Sequence, residues 1–211
     1  MKALATRWLP PLLALVVFFC AAPAAAQVKV VASFTILADM VRNVGGDRVE
    51  VASLVGPDAD THVYQPTPGD ARAIAGAHLV VVNGLSFEGW LDRLVQASGY
   101  RGPIVIAAEG TAVRIMTSHE RAHAGHTHDH AHDGGPAPDP HAWQDLAKGQ
   151  IYVRNIAEGL IRADPANAAT YRDNAARYLA RLAELDAWVR QQFSSLPADR
   201  RKVITSHDAF G

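Results

Sequence analysis

Short apolar runs alternate with helical stretches from residue 28 onward, which is the pattern of an α/β fold. The apolar runs at 28–32, 49–55, 79–82 and 104–106 predict strands, and the last two are continuous enough to be buried on both faces. The stretches at 36–44, 68–75 and 87–97 have helical spacing. Strands joined by such helices favour a parallel sheet of right-handed βαβ units, with ligands at the carboxyl ends of the strands.

Two more helices follow, and the second is unusually long. Residues 144–162 have helical spacing, and Asp164 and Pro165 then predict a new start as N-cap and first helical residue. The second helix carries an apolar stripe at alternating steps of four and three, formed by Tyr171, Ala175, Tyr178, Leu182, Leu185 and Val189. At about 30 residues such a helix is about 45 Å long, so we expect a rigid spine that joins two lobes.

The chain stops soon after a further predicted strand at 203–205. We therefore predict an α/β protein with a parallel-sheet lobe, flanking helices, a long spine helix and the first strand of a second, similar lobe that is truncated. The predicted divisions are a signal peptide at 1–26, an N-terminal lobe at 27–143, linking helices at 144–200 and the start of the C-terminal lobe at 201–211. The apolar stripe of the spine is expected to be partly exposed, because much of its partner lobe is missing.

Residues 118–138 interrupt this pattern and are predicted to form a loop, since they have no apolar periodicity. Six histidines lie in it: His119, His123, His126, His128, His130 and His132. One interpretation is an auxiliary, low-affinity loop that collects or senses metal ions, with binding that weakens as imidazole protonates below about pH 6.5. The other interpretation is a solvated spacer.

The N-terminus has the features of a secretory signal. Lys2 and Arg7 precede an apolar stretch at 9–19, and alanines at 24–26 supply the small residues that signal peptidase requires. We expect cleavage after residue 26 and export to the periplasm. Lipidation at Cys20 is the alternative, which the bulky phenylalanine before it disfavours.

Composition narrows the function further. The 211 residues are 49% hydrophobic, with 20 basic and 21 acidic side chains, a single cysteine and ten histidines. A net charge of −1 gives no basic face for nucleic acid, and one cysteine excludes a disulfide framework or a thiolate metal cluster. The histidines point to metal chemistry.

Three histidines outside the loop lie in stiff or strand-end positions. His62 follows the second predicted strand, His141 comes directly after a proline, and His207 follows the strand at 203–205. Their imidazoles could converge on one ion. His78 begins a strand and is interpreted as structural.

Neutral imidazole suits Zn²⁺, which is usually four-coordinate with nitrogen at about 2.0–2.1 Å. Calcium and magnesium prefer oxygen ligands, while Mn²⁺ is the serious rival. Asp139 and Asp208 are candidates to accept the ring N–H groups, with turn or cap chemistry as the alternative. Trp143 is interpreted as core packing.

Three segments carry a family resemblance. Residues 61–68 (THVYQPTP), 139–143 (DPHAW) and 205–211 (TSHDAFG) resemble signature segments of the zinc/manganese-type solute-binding proteins of bacterial ABC transporters. Residues 82–85 and 88–90 resemble a further patch of that family, and the similarity runs from about residue 28 to residue 211.

The resemblance implies two lobes bridged by one long helix, with the metal in the cleft between them. His62 and His141 would come from the first lobe, His207 from the second, and an Asp or Glu beyond residue 211 would complete the site. Manganese members resemble this chain but carry Glu where His207 stands, and a His-rich loop is typical of the zinc branch. The expected protein is a monomeric periplasmic zinc receptor that delivers Zn²⁺ to an ABC permease, with manganese as runner-up.

Two other classes stay open at this point. Three histidines with an open fourth position also form the ligand set of a zinc hydrolase, although no His-Glu-x-x-His helix is predicted. A metal-dependent surface adhesin is the second rival, and it predicts a lipid anchor.

Overall fold

The computed structural model describes residues 26–116 and 137–202. The rest of the predicted signal peptide, His207 with the strand predicted before it, and the six histidines of the loop lie outside the described residues: His119, His123, His126, His128, His130 and His132.

A four-stranded parallel sheet forms the centre of the described chain, as the sequence predicts. It consists of β1 (Val28–Phe34), β2 (Val49–Val55), β3 (Leu79–Val82) and β4 (Ile104–Ile106), in the order β2-β1-β3-β4. The order reverses at β1, since β2 lies on one side of it and β3 on the other. In open parallel sheets this reversal opens a crevice at the carboxyl ends of the strands.

Burial within the sheet follows strand position. All four residues of β3 are buried, as expected for an interior strand covered on both faces. The prediction of a fully buried β4 was wrong, because Ile104 and Ile106 are 42% and 45% exposed and only Val105 is buried. Among the described strands β4 lies at the edge, and its outer face borders an open groove.

Three helices connect the strands. They are α1 (Thr35–Gly45), α2 (Pro68–Ala75) and α3 (Leu91–Ser98); the predicted range of α2 is confirmed, and that of α1 is confirmed to within one residue at each end. Gly46 ends α1 with φ of 54°, a left-handed conformation that glycine adopts readily. The prediction that α3 begins at residue 87 was wrong, since residues 87–90 are irregular or form a turn and the helix begins at Leu91.

A separate two-stranded antiparallel ladder precedes His141 in the chain. β5 (Ile115–Met116) pairs with β6 (Ala137–Pro138), and the backbone N–H of Asp139 donates to the carbonyl of Arg114 at 2.8 Å. The last two residues of the predicted 118–138 loop therefore belong to a strand. The ladder fixes the chain just before His141.

The next helix, α4 (Leu146–Ala163), begins two residues later than predicted, because a 3₁₀ turn occupies Ala142–Gln144. Asp145 is its N-cap and accepts from the backbone N–H groups of Ala147 and Lys148. Although the sequence analysis groups this helix with the linkers, its inner face is buried in the core together with the sheet.

The last described helix, α5 (Ala168–Ser195), has 28 residues and is about 42 Å long. A 3₁₀ turn at Pro165–Asn167 precedes it, so Asp164 is not its N-cap as predicted. The Asp164 carboxylate instead accepts hydrogen bonds from the Tyr171 hydroxyl and the Asn167 amide, both at 2.7 Å. Burial opposes ionisation of Asp164, but these hydrogen bonds outweigh it and lower its pKa.

The apolar stripe of α5 is partly exposed, as expected. Tyr171, Ala175 and Leu182 are buried in the core, whereas Leu185, in the second half of the helix, is 45% exposed. Within the described part of the chain, none of the helices combines the length and apolar character needed to cross a lipid bilayer.

Two glycines of α4 provide a matched test of its packing. A Cβ at Gly159 would overlap Val105 Cγ2, whereas a Cβ at Gly149 meets Met40 Cε at an ordinary 3.9 Å. Glycine within a helix is about 1 kcal/mol less favourable than alanine. We expect Gly149→Ala to raise the free energy of unfolding by up to about 1 kcal/mol. Gly159→Ala should lower it by about 1–3 kcal/mol through overpacking.

Denaturant unfolding of both variants checks this prediction. Equal stabilisation by the two substitutions would contradict the close approach of α4 to β4.

Candidate metal centre

Two of the three predicted ligands meet at the carboxyl end of the sheet. The Nε2 atoms of His62 and His141 lie 3.2 Å apart, although 79 residues separate them in sequence. His62 lies on the loop after β2, and His141 follows β6. Among the described residues no group of three or more His, Cys, Asp or Glu side chains has metal-binding geometry. The described part of the site therefore consists of the His62–His141 pair.

The separation of the two nitrogens is compatible with a shared ion. Two imidazole nitrogens bound to one tetrahedral Zn²⁺ at about 2.0–2.1 Å lie about 3.3–3.4 Å apart. Each ring would bind in its neutral form, with the Nε2 lone pair directed at the ion. The pair could therefore supply two neighbouring corners of a coordination shell.

Asp139 determines how the His141 ring is presented. Its Oδ1 atom lies 2.8 Å from His141 Nδ1 and 3.0 Å from the His141 backbone nitrogen, and both residues are buried. Because an ionised carboxylate only accepts hydrogen bonds, the proton belongs to Nδ1. The neutral ring then has its lone pair on Nε2, the atom that faces His62.

His62 is held in a similar way. Asp60 Oδ1 accepts from the His62 backbone N–H at 2.9 Å, and the carbonyl of Thr61 accepts from the indole N–H of Trp90 at 2.9 Å. Tyr64 packs edge-on against Trp90 and donates to Asp70 at 2.9 Å, which ties this loop to the start of α2. Burial, with the Asp70 hydrogen bond and charge, raises the pKa of Tyr64 to about 12.

Aromatic rings form one wall of the site. The Phe87 ring centroid lies 4.6 Å from His62 and 5.8 Å from His141, in edge-to-face geometry. Trp143 lies 5.3 Å from His141 and packs on Phe87 and Phe34, which confirms its interpretation as a packing residue. This apolar wall strengthens charge interactions at the histidines by excluding water from one side.

The other side of the pair opens to solvent through a cleft of about 290 Å³. The charged residues among its described lining are Asp58 and Asp60. The cleft lies beyond the carboxyl ends of β1 and β2, beside the point where strand order reverses. The negative charge of these two aspartates favours the binding of a cation in the cleft.

A buried polar network lies behind the histidines, and the sequence marks Asn83 and Glu88 only by family resemblance without indicating this role. Asn83 donates to the carbonyl of Pro140 at 2.9 Å and accepts from the Tyr152 hydroxyl at 2.7 Å. Glu88 accepts from the Ser33 hydroxyl and from the Asn83 backbone N–H, at 2.6 and 2.7 Å. Burial raises the pKa of Glu88 despite these hydrogen bonds.

Part of this arrangement had a sequence signal. An aspartate stands two residues before the histidine in both Asp60-Thr61-His62 and Asp139-Pro140-His141. Asn83 and Trp90 lie in the patch at 82–90 that resembles the family, but nothing in the sequence indicates their partners, which are backbone carbonyls remote in sequence.

The remaining histidines do not join the pair among the described residues. His78 is exposed, and its Nδ1 accepts the backbone N–H of Lys29 near the amino end of the sheet, in keeping with a structural role. His207 and the loop histidines lie outside the described residues, so their roles stay predictions.

Comparison with known proteins identifies the family. The chain matches the family described as zinc-uptake complex component A, periplasmic, over residues 30–211. The chain belongs to this family. Membership confirms the resemblance seen in the three sequence segments, and the family is one of substrate-binding receptors of ABC transporters rather than of enzymes.

Relatives within the family are named for several metals. The chain is 34% identical over 186 residues to the iron-binding protein YfeA of Yersinia pestis, covering 88% of this chain and 55% of the relative. It is 33% identical over 188 residues to the manganese ABC transporter substrate-binding lipoprotein PsaA of Streptococcus pneumoniae, covering 87% and 57%. The chain thus spans little more than half the length of these relatives.

Solved structures share the fold. A Mn-bound periplasmic metal-binding protein from Candidatus Liberibacter asiaticus superposes with a TM-score of 0.67 at 28% identity, covering 83% of this chain and 60% of that one. Zn(II)-bound AdcA from Streptococcus pneumoniae gives 0.66 at 22% identity, covering 81% and 33%, which supports the fold alone. The predicted α/β class with a parallel sheet is confirmed.

The Asp139 contact makes a prediction for the metal-free protein. In Asp139→Ala the His141 ring loses the acceptor at Nδ1, so its neutral form should become a mixture of both tautomers. Nitrogen-15 chemical shifts of the ring measure this directly.

Asp145→Ala is the matched control, because it removes the α4 N-cap at a cost of about 1 kcal/mol without touching His141. A His141 ring that keeps its Nδ1–H tautomer in Asp139→Ala would show that the carboxylate does not set it.

Proposed function

We propose that this protein is an extracytoplasmic high-affinity receptor that binds Zn²⁺ and delivers it to the permease of an ABC uptake system. The observation that carries the proposal is the His62–His141 pair, whose Nε2 atoms face each other at 3.2 Å beside an open cleft. Family membership supports the transport role, since the family is a periplasmic component of metal uptake.

The proposed ligands are His62, His141 and His207. The first two supply adjacent nitrogens, and His207 would close over the cleft from the second lobe. A carboxylate from further along the protein would complete the shell and offset charge. The ion is cargo in this proposal, so the site needs affinity and release rather than a reactive water.

Zinc is proposed over manganese on ligand chemistry. Three imidazoles form a borderline-soft set that suits Zn²⁺, whereas Mn²⁺ favours more carboxylate. The relatives named for iron and manganese make Mn²⁺ the alternative within the same receptor role. The His-rich loop of residues 118–138 is proposed as an auxiliary low-affinity site for the same ion.

The protein is further proposed to act as a monomer in the periplasm after removal of residues 1–26. Relatives such as PsaA and the manganese-binding MntA of Halalkalibacterium halodurans are named lipoproteins, so a lipid-anchored form attached through Cys20 is the alternative.

Removing either imidazole tests the site. We expect His62→Ala and His141→Ala in the full-length protein each to weaken Zn²⁺ binding by about 100-fold or more, because half of the paired nitrogens is lost. Isothermal titration calorimetry measures the dissociation constant. His78→Ala is the control, since this exposed histidine lies at the other end of the sheet, and unchanged affinity in both site variants would remove the proposed site.

Metal choice requires a ratio rather than a single affinity, because most nitrogen and oxygen sites bind Zn²⁺ more tightly than Mn²⁺. We expect His207→Glu to lower the ratio of the Mn²⁺ to the Zn²⁺ dissociation constant by about tenfold or more, as a harder ligand replaces imidazole. Competition titrations measure the ratio, with His78→Glu as control. An unchanged ratio would show that His207 does not select the metal.

A further inference from the structure

The two histidines are presented by the same local device. In each, an aspartate two residues earlier accepts the backbone N–H of the histidine: Asp60 for His62 at 2.9 Å, and Asp139 for His141 at 3.0 Å. The peptide unit before each ring is thereby held at its nitrogen end. Neither aspartate lies on a helix or strand, so the contact replaces regular secondary structure.

The carbonyl end of each of these peptide units is held as well. The Thr61 carbonyl accepts from Trp90 Nε1 at 2.9 Å, and the Pro140 carbonyl accepts from Asn83 Nδ2 at 2.9 Å. Both donors belong to one segment, residues 83–90, which we call the 83–90 loop. A single loop therefore holds the backbone just before both histidines.

The 83–90 loop has an unusual backbone that its own carboxylate stabilises. Gly84, Leu85 and Ser86 all have positive φ, at 85°, 55° and 61°. Such angles are unfavourable for side chains like leucine and persist only where surrounding contacts determine them. Here the Glu88 carboxylate accepts the backbone N–H groups of Asn83 and Gly84, at 2.7 and 3.2 Å.

The loop is also packed and anchored to the sheet. Glu88 accepts from the Ser33 hydroxyl on β1 at 2.6 Å, and Asn83 accepts from Tyr152 on α4 at 2.7 Å. Phe87, a buried member of the loop, lies edge-to-face against both imidazole rings. The buried members of the loop are thus connected to the sheet, to α4 and to the two histidines.

We propose that the 83–90 loop is a positioning template that sets the separation of His62 and His141 before the metal arrives. Asn83 and Trp90 are positioning residues that bind no ion. Glu88 stabilises the loop through its hydrogen bonds to the loop's own backbone. The inference rests on the proposed metal-binding function and deepens it. The residues that order the site before metal binding thus belong to the segment after β3, and not to the segments at 61–68 and 139–143 that contain the histidines.

The template makes separable predictions, because each donor acts on one histidine. In the metal-free full-length protein, Trp90→Phe keeps most of the aromatic ring but removes the donor to Thr61. It should speed hydrogen exchange of the His62 amide by about tenfold and leave the His141 amide nearly unchanged. Asn83→Ala should speed hydrogen exchange of the His141 amide and leave the His62 amide nearly unchanged, because Asn83 donates to the carbonyl of Pro140. These readouts are independent of metal.

Metal affinity provides the second readout. Loss of either donor should raise the Zn²⁺ dissociation constant by about 10-fold to 100-fold, the range for contacts that orient ligands. Matched controls are Trp188→Phe, an exposed tryptophan on α5, and Asn155→Ala, whose amide donates to the carbonyls of Ala107 and Glu109. Melting temperatures of all four metal-free variants show whether the affinity losses merely follow stability.

The outcomes distinguish the template from the proposed function. Selective exchange at the two histidine amides with weakened Zn²⁺ binding supports the template. Equal acceleration at both amides in both variants, or unchanged affinity despite selective exchange, overturns it. If the unaltered protein binds no Zn²⁺ while the exchange pattern holds, the metal-binding function fails and the loop merely orders the two backbone segments.

Discussion

Two imidazole nitrogens held face to face at 3.2 Å are the constraint on which this site depends. In the metal-free protein one neutral ring can donate its Nε2–H to the Nε2 atom of the other at this distance, and an ion bound by both rings takes the place of that proton. The chain also holds the rings through contacts elsewhere. It does so at Nδ1 of His141 and at the backbone before each ring, which leaves both Nε2 atoms facing the cleft.

The fold supplies these contacts at the end of the sheet where strand order reverses. The segments that follow β2 and β3 leave the sheet on either side of β1, and the β5–β6 ladder brings His141 to the same edge. Burying Glu88 and Asn83 there would be unfavourable if they lacked partners, but both are hydrogen-bonded. A satisfied network of this kind is rigid, which suits a site that must select an ion.

Several elements were predictable because local chemistry dictates them. The apolar runs of β2, β3 and β4 and the glycine and proline boundaries of α2 lie where the sequence places them. Long-range contacts account for the errors. The start of α3 is displaced because Glu88 captures backbone N–H groups, and Asp164 bonds side chains of the following turns instead of capping α5.

The sequence by itself determined the class of fold, the family and the histidines worth testing, because periodicity and short motifs are local properties. Only the tertiary structure decided that His62 and His141 face each other, that Asp139 sets a tautomer and that one loop contacts both backbone segments. These relations join residues between 2 and 79 positions apart through hydrogen bonds to backbone carbonyls and ring nitrogens. Every residue type has a backbone carbonyl, so no pattern of side chains marks which one will be the partner.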